Sequence, residues 1–279
     1  MYIRKMIQQD VDFAVGLAIG EGWGSIKLDF EELLEFDPEG CFIVENNDVP
    51  IGMICTTPYN GFGFVSNLIV LEEYRNRKVG TLLMKHALDY LEGKGVRTQL
   101  LDGVLKAISL YNRFGFEKKY KSLRLEGNVE PKESDNIRPM TTADLKTIDH
   151  FDAELFGASR KKFIESRLKN FPRLCKVLEI EGDLAGYIMG SERNESVRIG
   201  PWVMRYPSEQ VEDLLQELAS EVDGITLQIG VLENNIGALQ ILKKYKFIQK
   251  SFSWRMMRGR SGDWTFSDHL CAICSAARG

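Results

Sequence analysis

The sequence predicts an α/β protein built twice, and three observations carry that expectation. Residues 64–92, FVSNLIVLEEYRNRKVGTLLMKHALDYLE, read as a buried strand, a charged turn and an amphipathic helix. Hairpin patterns precede this stretch, and a strand, a helix and a strand follow it, the order of a mixed sheet with a βαβ unit at its centre. The pattern then recurs. Ile3-Arg4-Lys5-Met6 and Asp10-Val11 reappear as Ile137-Arg138-Pro139-Met140 and Asp144-Leu145, at an offset of 134 residues. At that offset Cys41 meets Cys175, Ile51-Gly52 meets Ala185-Gly186, and Asn67–Val70 meets Pro201–Met204. Tyr111–Phe116 meets Leu242–Phe247 at an offset of 131.

Taken in order, residues 1–9 read as a short strand, and Asp10 is placed to cap a helix through Val11, Val15 and Ala18. Glu21-Gly22-Trp23-Gly24 breaks it, and a second short helix gathers Phe30, Leu33 and Leu34. Asp37-Pro38-Glu39-Gly40 is a turn. Cys41–Val44 and Ile51–Thr57 form a hairpin through Asn46-Asn47-Asp48, residues that tolerate a positive φ. After the strand Phe64–Val70, the helix from Val79 puts Val79, Leu82, Leu83, Ala87, Tyr90 and Leu91 on one face. Gly93 and Gly95 stop it. Arg97–Leu101 is a strand, Asp102-Gly103-Val104 opens a helix ending at Tyr111–Phe116, and a last strand runs to Leu125. Residues 126–136, EGNVEPKESDN, read as a linker. The expected domains are therefore 1–128 and 129–279.

The turn between central strand and helix carries Arg75, Asn76, Arg77, Lys78, Val79, Gly80 and Thr81. The first turn of a helix presents unpaired N–H groups and the positive end of the helix dipole, so a basic turn feeding it suits an anion. The second copy has Tyr206-Pro207-Ser208-Glu209 there, then Glu212 and Asp213, and Leu242 stands where the first copy has Tyr111. Only the first copy joins the basic turn to a tyrosine.

Composition narrows the function classes. With 44% hydrophobic and 27% charged residues, the chain fits globular protein with enough length for two cores. A net charge of −4 points to no nucleic-acid or membrane partner. No apolar run approaches the roughly 20 residues of a membrane span. MYIRKMIQQD lacks the apolar stretch of an export signal, so a cytoplasmic protein is expected. Five cysteines imply free thiols, Cys271 and Cys274 have no second ligand pair, and the three histidines form no metal pattern, so no metal is expected. Self-association is left open.

Residues 64–92 resemble motif A of the GNAT acetyltransferases, in which Arg or Gln, two residues, Gly, one residue, then Gly or Ala holds the pyrophosphate of acetyl-CoA. Arg75 and Gly80 match the outer positions, while Lys78 departs from the first Gly. Leu110-Tyr111-Asn112-Arg113-Phe114-Gly115-Phe116 resembles motif B, in the order the family requires. Gly22-Trp23, Asp37–Gly40, Leu101–Val104 and Trp254–Gly259 extend the resemblance to a tandem, YitH-type subfamily. The resemblance implies two GNAT-like domains, each a mixed, mostly antiparallel sheet flanked by helices, the second degenerate. It implies an N-acetyltransferase that uses acetyl-CoA as co-substrate, with a small-molecule amine or a protein lysine attacking directly in a ternary complex. Leu68, Ile69 and Val70 would supply the N–H that polarises the thioester, Arg75–Thr81 would hold the phosphates, and Tyr111 would protonate the thiolate. Glu21 and Asp102 are candidate bases, and Trp23 a candidate wall of the acceptor site. The alternative is a non-catalytic acyl-CoA-binding or regulatory module.

Overall fold

The computed structural model describes residues 1–205, 210–222, 224–259 and 268–279. The chain forms two compact units, one of Met1–Lys119, Trp254–Ser261 and Arg278, the other of Tyr120–Ser253, Gly262–Ala277 and Gly279. In chain order the first unit contains β1 (Tyr2–Lys5), α1 (Val11–Gly20), α2 (Lys27–Phe36), β2 (Cys41–Asn46), β3 (Val49–Pro58), β4 (Phe62–Val70), α3 (Val79–Gly93), β5 (Thr98–Gly103) and α4 (Ile108–Arg113). The chain continues with β6 (Glu117–Gly127), β7 (Ile137–Pro139), α5 (Leu145–Phe156), α6 (Lys161–Asn170), β8 (Cys175–Ile180), β9 (Asp183–Glu192) and β10 (Ser196–Met204). It ends with α7 (Val211–Ala219), β11 (Thr226–Leu232), α8 (Ile236–Lys244), β12 (Ile248–Arg258) and β13 (Leu270–Ala272).

In the first unit β1–β4 pair antiparallel in sequence order, and β4 pairs with β5 in parallel. The outer partner of β5 is the end of β12, whose Trp254–Arg258 run antiparallel to Gly103–Gln99. The second unit repeats the plan. β7–β10 are antiparallel neighbours, β10 pairs with β11 in parallel, and β6 lies antiparallel on β11. Each unit thus takes its last strand from the other sequence repeat. A boundary expected at residue 128 cannot reflect this exchange, because the alternation of Glu117–Gly127 suits either sheet.

The repeated Ile-Arg…Asp motif acquires a physical reason. Arg4 bridges Asp10 (2.6 Å) and Glu45 (2.8 Å). One repeat later Arg138 bridges Asp144 (2.8 Å) and Glu179 (2.6 Å). Asp10 does not cap α1 through its side chain; its carboxylate takes the Ile7 N–H and Arg4. The Arg138 guanidinium holds the Asp144 carboxyl down at about 2, against the opposing effect of burial. A folded value below the unfolded ~3.9 stabilises at neutral pH, and the gain fades as pH falls through that window. We expect Asp144→Asn to cost about 1 kcal/mol at pH 7 and almost nothing near pH 2, measured as urea midpoints against pH.

On α3, Val79, Leu83, Met84, Ala87, Leu88 and Leu91 are buried, whereas Leu82 is 41% exposed despite its apolar character. These side chains cover the sheet together with Val65, Leu101, Tyr111, Phe116 and Met256. The Asn47-Asp48 turn between β2 and β3 has φ of 50° and 61°, as its composition predicts. All five cysteines are free and buried. No helix among the described residues is long and apolar enough to cross a membrane.

Candidate active site

The site of the first unit is made by a parting of strands. β4 and β5 pair only from Phe62–Phe64 to Thr98–Leu100. Beyond that, β4 follows β3 to Val70 and β5 follows β12 to Gly103. A register shift between Met53 and Cys55, with Asn67 at φ 51°, marks a bulge in β4 at the parting. The side of Leu68, Ile69 and Val70 that would face β5 therefore has no ladder partner on that strand. β4 then delivers the chain through Arg75–Lys78 to the N-terminus of α3.

That turn is exposed and basic, and the first turn of α3 contains no acidic residue. Lys78, which stands where the motif has a glycine, adopts a left-handed conformation that favours glycine, with φ 63° and ψ 9°. Asn76 is also left-handed, and Arg77 lies 5.6 Å from the centre of the Tyr74 ring. A Cβ on Gly80 would meet only Leu110, at an ordinary 3.5 Å. No neighbouring side chain therefore forces glycine at 80. Arg75 turns back toward the protein: it donates to Glu21 at 2.6 Å and to the Val70 carbonyl at 3.0 Å.

Tyr111 approaches from α4. Its ring lies over Gly103, where a Cβ would come within 3.1 Å of the ring carbons, and edge-on to Phe116 at 6.4 Å. Burial alone raises the hydroxyl to about 12, so it remains a proton donor across the physiological range.

Glu21, at the end of α1, has both carboxylate oxygens engaged, one by Arg75 and the other by Lys106. Trp23 is half-buried between Gly22 (φ 74°) and Gly24 (φ 57°), outside the core beneath α3. Asp102 does not open a helix. It lies inside β5 instead of capping a helix, and it is buried against Arg255, directly opposite on β12. Arg255 also stacks 4.9 Å from the centre of Phe64. Its carboxylate is held in an ion pair whose two side chains are each 1% exposed, an arrangement that favours a structural part over that of a base.

The second unit has the same parting but fills it. β10 and β11 pair only from Ser196–Ile199 to Thr226–Ile229, and β13 then enters between them. Trp202 and Val203 pair with Ala272 and Leu270, the Met204 N–H donates to the His269 carbonyl, and the Ile273 N–H donates to the Gly230 carbonyl. A Cβ on Gly200 would stand 2.0 Å from the Ile273 carbonyl oxygen, so glycine is needed for the segment to seat. Asn235 caps α8 by accepting from the Ala238 N–H and donates to the Leu270 carbonyl at 2.9 Å. Glu212 and Asp213 are neutralised by Lys244 and Lys132, and Glu209 lies outside the described residues. The chain's own strand β13 occupies this parting. Leu242, the counterpart of Tyr111, is fully buried.

Among the described residues no group of three or more His, Cys, Asp or Glu side chains is placed to hold a metal ion. Residues 18–116 match the acetyltransferase (GNAT) family, and residues 148–265 match an acetyltransferase (GNAT) domain. The chain belongs to the GNAT acetyltransferases. It is an acyltransferase with two GNAT domains in tandem, in a family that uses acetyl-CoA as co-substrate. It is 22% identical over 246 residues to a holothin acyltransferase of Pseudoalteromonas sp. (strain SANK 73390), covering 87% of this chain and 83% of that protein. It resembles the crystal structure of a proposed acetyltransferase from Pyrococcus horikoshii, at 25% identity and TM-score 0.82, covering 100% and 95% of the two chains. A tandem GNAT protein from the clavulanic acid biosynthesis pathway shares the fold, with TM-score 0.63 at 12% identity over 94% and 99% of the chains.

The contacts of Arg255 and Lys106, and the place where β13 pairs, escaped the sequence reading. Arg255 carried one signal: an aspartate in the middle of a buried strand requires a cation nearby. Lys106 carried none, and β13 is legible as a strand but not in its partners.

Proposed function

We propose that the first unit transfers the acetyl group of acetyl-CoA directly to a primary amine, a small molecule or a protein lysine, and that the second unit holds no acyl-CoA. The single observation that carries this is the contrast between the two strand partings, one open onto a basic helix N-terminus and the other filled by β13. In this reading the pyrophosphate lies over Arg75–Thr81, and an N–H of Leu68–Val70 meets the oxygen of the thioester carbonyl as it gains charge. The amine nitrogen bonds to the carbonyl carbon, the carbon–sulfur bond breaks, and the amine's surplus proton leaves to solvent. Tyr111 gives its proton to the departing thiolate, whose conjugate thiol has a reference pKa of about 8.5, and regains one from water.

Calorimetric titration with CoA tests the cofactor site. We expect one CoA per chain, and at least a tenfold loss of affinity in Gly80→Asp. An aspartate at that helix position favours the helix dipole while repelling phosphate, so the fold should keep its stability. Two equivalent sites, or unchanged affinity in Gly80→Asp, would refute the assignment.

A further inference from the structure

The contact of Arg75 with Glu21 has the form of an ion pair that a phosphate would have to break. Glu21 is 11% exposed beneath two more open cations, Arg75 at 39% and Lys106 at 61%. One oxygen accepts from Arg75 Nη2 at 2.6 Å and the other from Lys106 Nζ. These residues come from the segments after α1, after β4 and after β5, so one carboxylate ties together three loops at the parting of the strands. Trp23 stands two residues further on, between two glycines of positive φ. We propose that Glu21 is an internal counter-ion that occupies Arg75 until a CoA pyrophosphate takes the arginine over. Its release then offers a carboxylate beside Trp23 to the ammonium of the incoming acceptor. This rests on the reading of Arg75 as a phosphate ligand.

The consequence is an order of events. Before the cofactor binds, both oxygens of Glu21 are engaged by protein cations, and an acceptor ammonium competes poorly for them. After it binds, Arg75 is neutralised by phosphate and one Glu21 oxygen is free. The acceptor then meets its carboxylate only in the presence of the co-substrate it must attack. The cofactor's affinity is reduced by the free energy needed to open the pair, as for any ligand that binds a minor state.

The sign of a mutation separates this from a bracing role. If Glu21 merely props the turn, neutralising it loosens the turn and weakens CoA binding. If it competes with phosphate, Glu21→Gln frees Arg75 and CoA binds more tightly, by about twofold to fivefold for a partly exposed pair. The decisive comparison is a double-mutant cycle, with CoA alone as ligand and calorimetry as readout. In Arg75→Gln, which binds CoA more weakly, Glu21→Gln should bring no tightening, because no arginine remains to be released. Weaker or unchanged affinity in Glu21→Gln overturns the proposal, as does equal tightening in both backgrounds, which would mean a general loss of negative potential. If Gln at 21 disturbs the fold, Glu21→Asp keeps the charge, draws it back by one methylene, and should give the same sign with a smaller effect. A wild type that does not bind CoA is a separate result: it removes the reading of the turn, and the gate with it.

Discussion

Tyr111→Phe is expected to lower kcat by about 10²–10⁴-fold while leaving CoA affinity and stability nearly unchanged. The ring keeps its place on Gly103 and against Phe116, so little apolar contact is lost. Only the hydroxyl disappears, and burial is the sole cause of its raised pKa, with no charged or hydrogen-bonding neighbour contributing. At about 12 the hydroxyl is protonated throughout the working pH range, so its contribution should not titrate between pH 6 and 9. The loss should appear in kcat and kcat/KM alike, because the proton is needed as the thiolate departs and not while CoA is bound. Leu242 provides the internal control. It occupies the same position on α8, in a unit whose cleft β13 fills, and Leu242→Met should leave turnover almost intact. An unchanged kcat in Tyr111→Phe would make the tyrosine a core aromatic and nothing more.

The contrast between Tyr111 and Leu242 was legible in the sequence, as were the repeat, the hairpins and the turn into α3. Each of these rests on local chemistry: a period of apolar residues, an Asn-Asp pair, a run of basic residues before a helix. The exchange of last strands was not legible. β6 and β12 alternate in the same way, and nothing within either strand says which β5-like partner it will meet. The filling of the second cleft was equally hidden. Leu270–Ala272 reads as a strand, but that it enters between β10 and β11 depends on Gly200, some seventy residues earlier, lacking a Cβ. Charge patterns were visible as types and misleading as contacts. The acidic start of α7 is plain in the sequence, yet its Glu212 and Asp213 each have a lysine of their own. Arg75 is expected at a phosphate and turns instead to Glu21.

Asp102 should give the largest stability effect of any residue at the site. Asp102→Asn is expected to destabilise the first unit by about 3–5 kcal/mol, the usual cost of removing one partner from a buried ion pair. Both side chains are 1% exposed, so solvent cannot compensate the Arg255 guanidinium once the carboxylate charge is gone. The arginine cannot swing away either, for it is pinned opposite Asp102 in the β5–β12 ladder and stacked against Phe64. Because β12 closes the β5 edge of the first unit, the loss should appear as unfolding of that unit, followed by urea denaturation with hydrogen exchange of the β5 amides. A base in the chemical step predicts the reverse: near-native stability with kcat greatly reduced. The paired substitution separates the charge from the fold. Asp102→Leu with Arg255→Met replaces the ion pair by apolar volume, removes both charges from the interior, and should recover most of the stability that Asp102→Asn loses. In the second unit the counterpart of Asp102 by strand register is Gly230, and Arg124, opposite it on β6, donates to Ser122 at 2.7 Å.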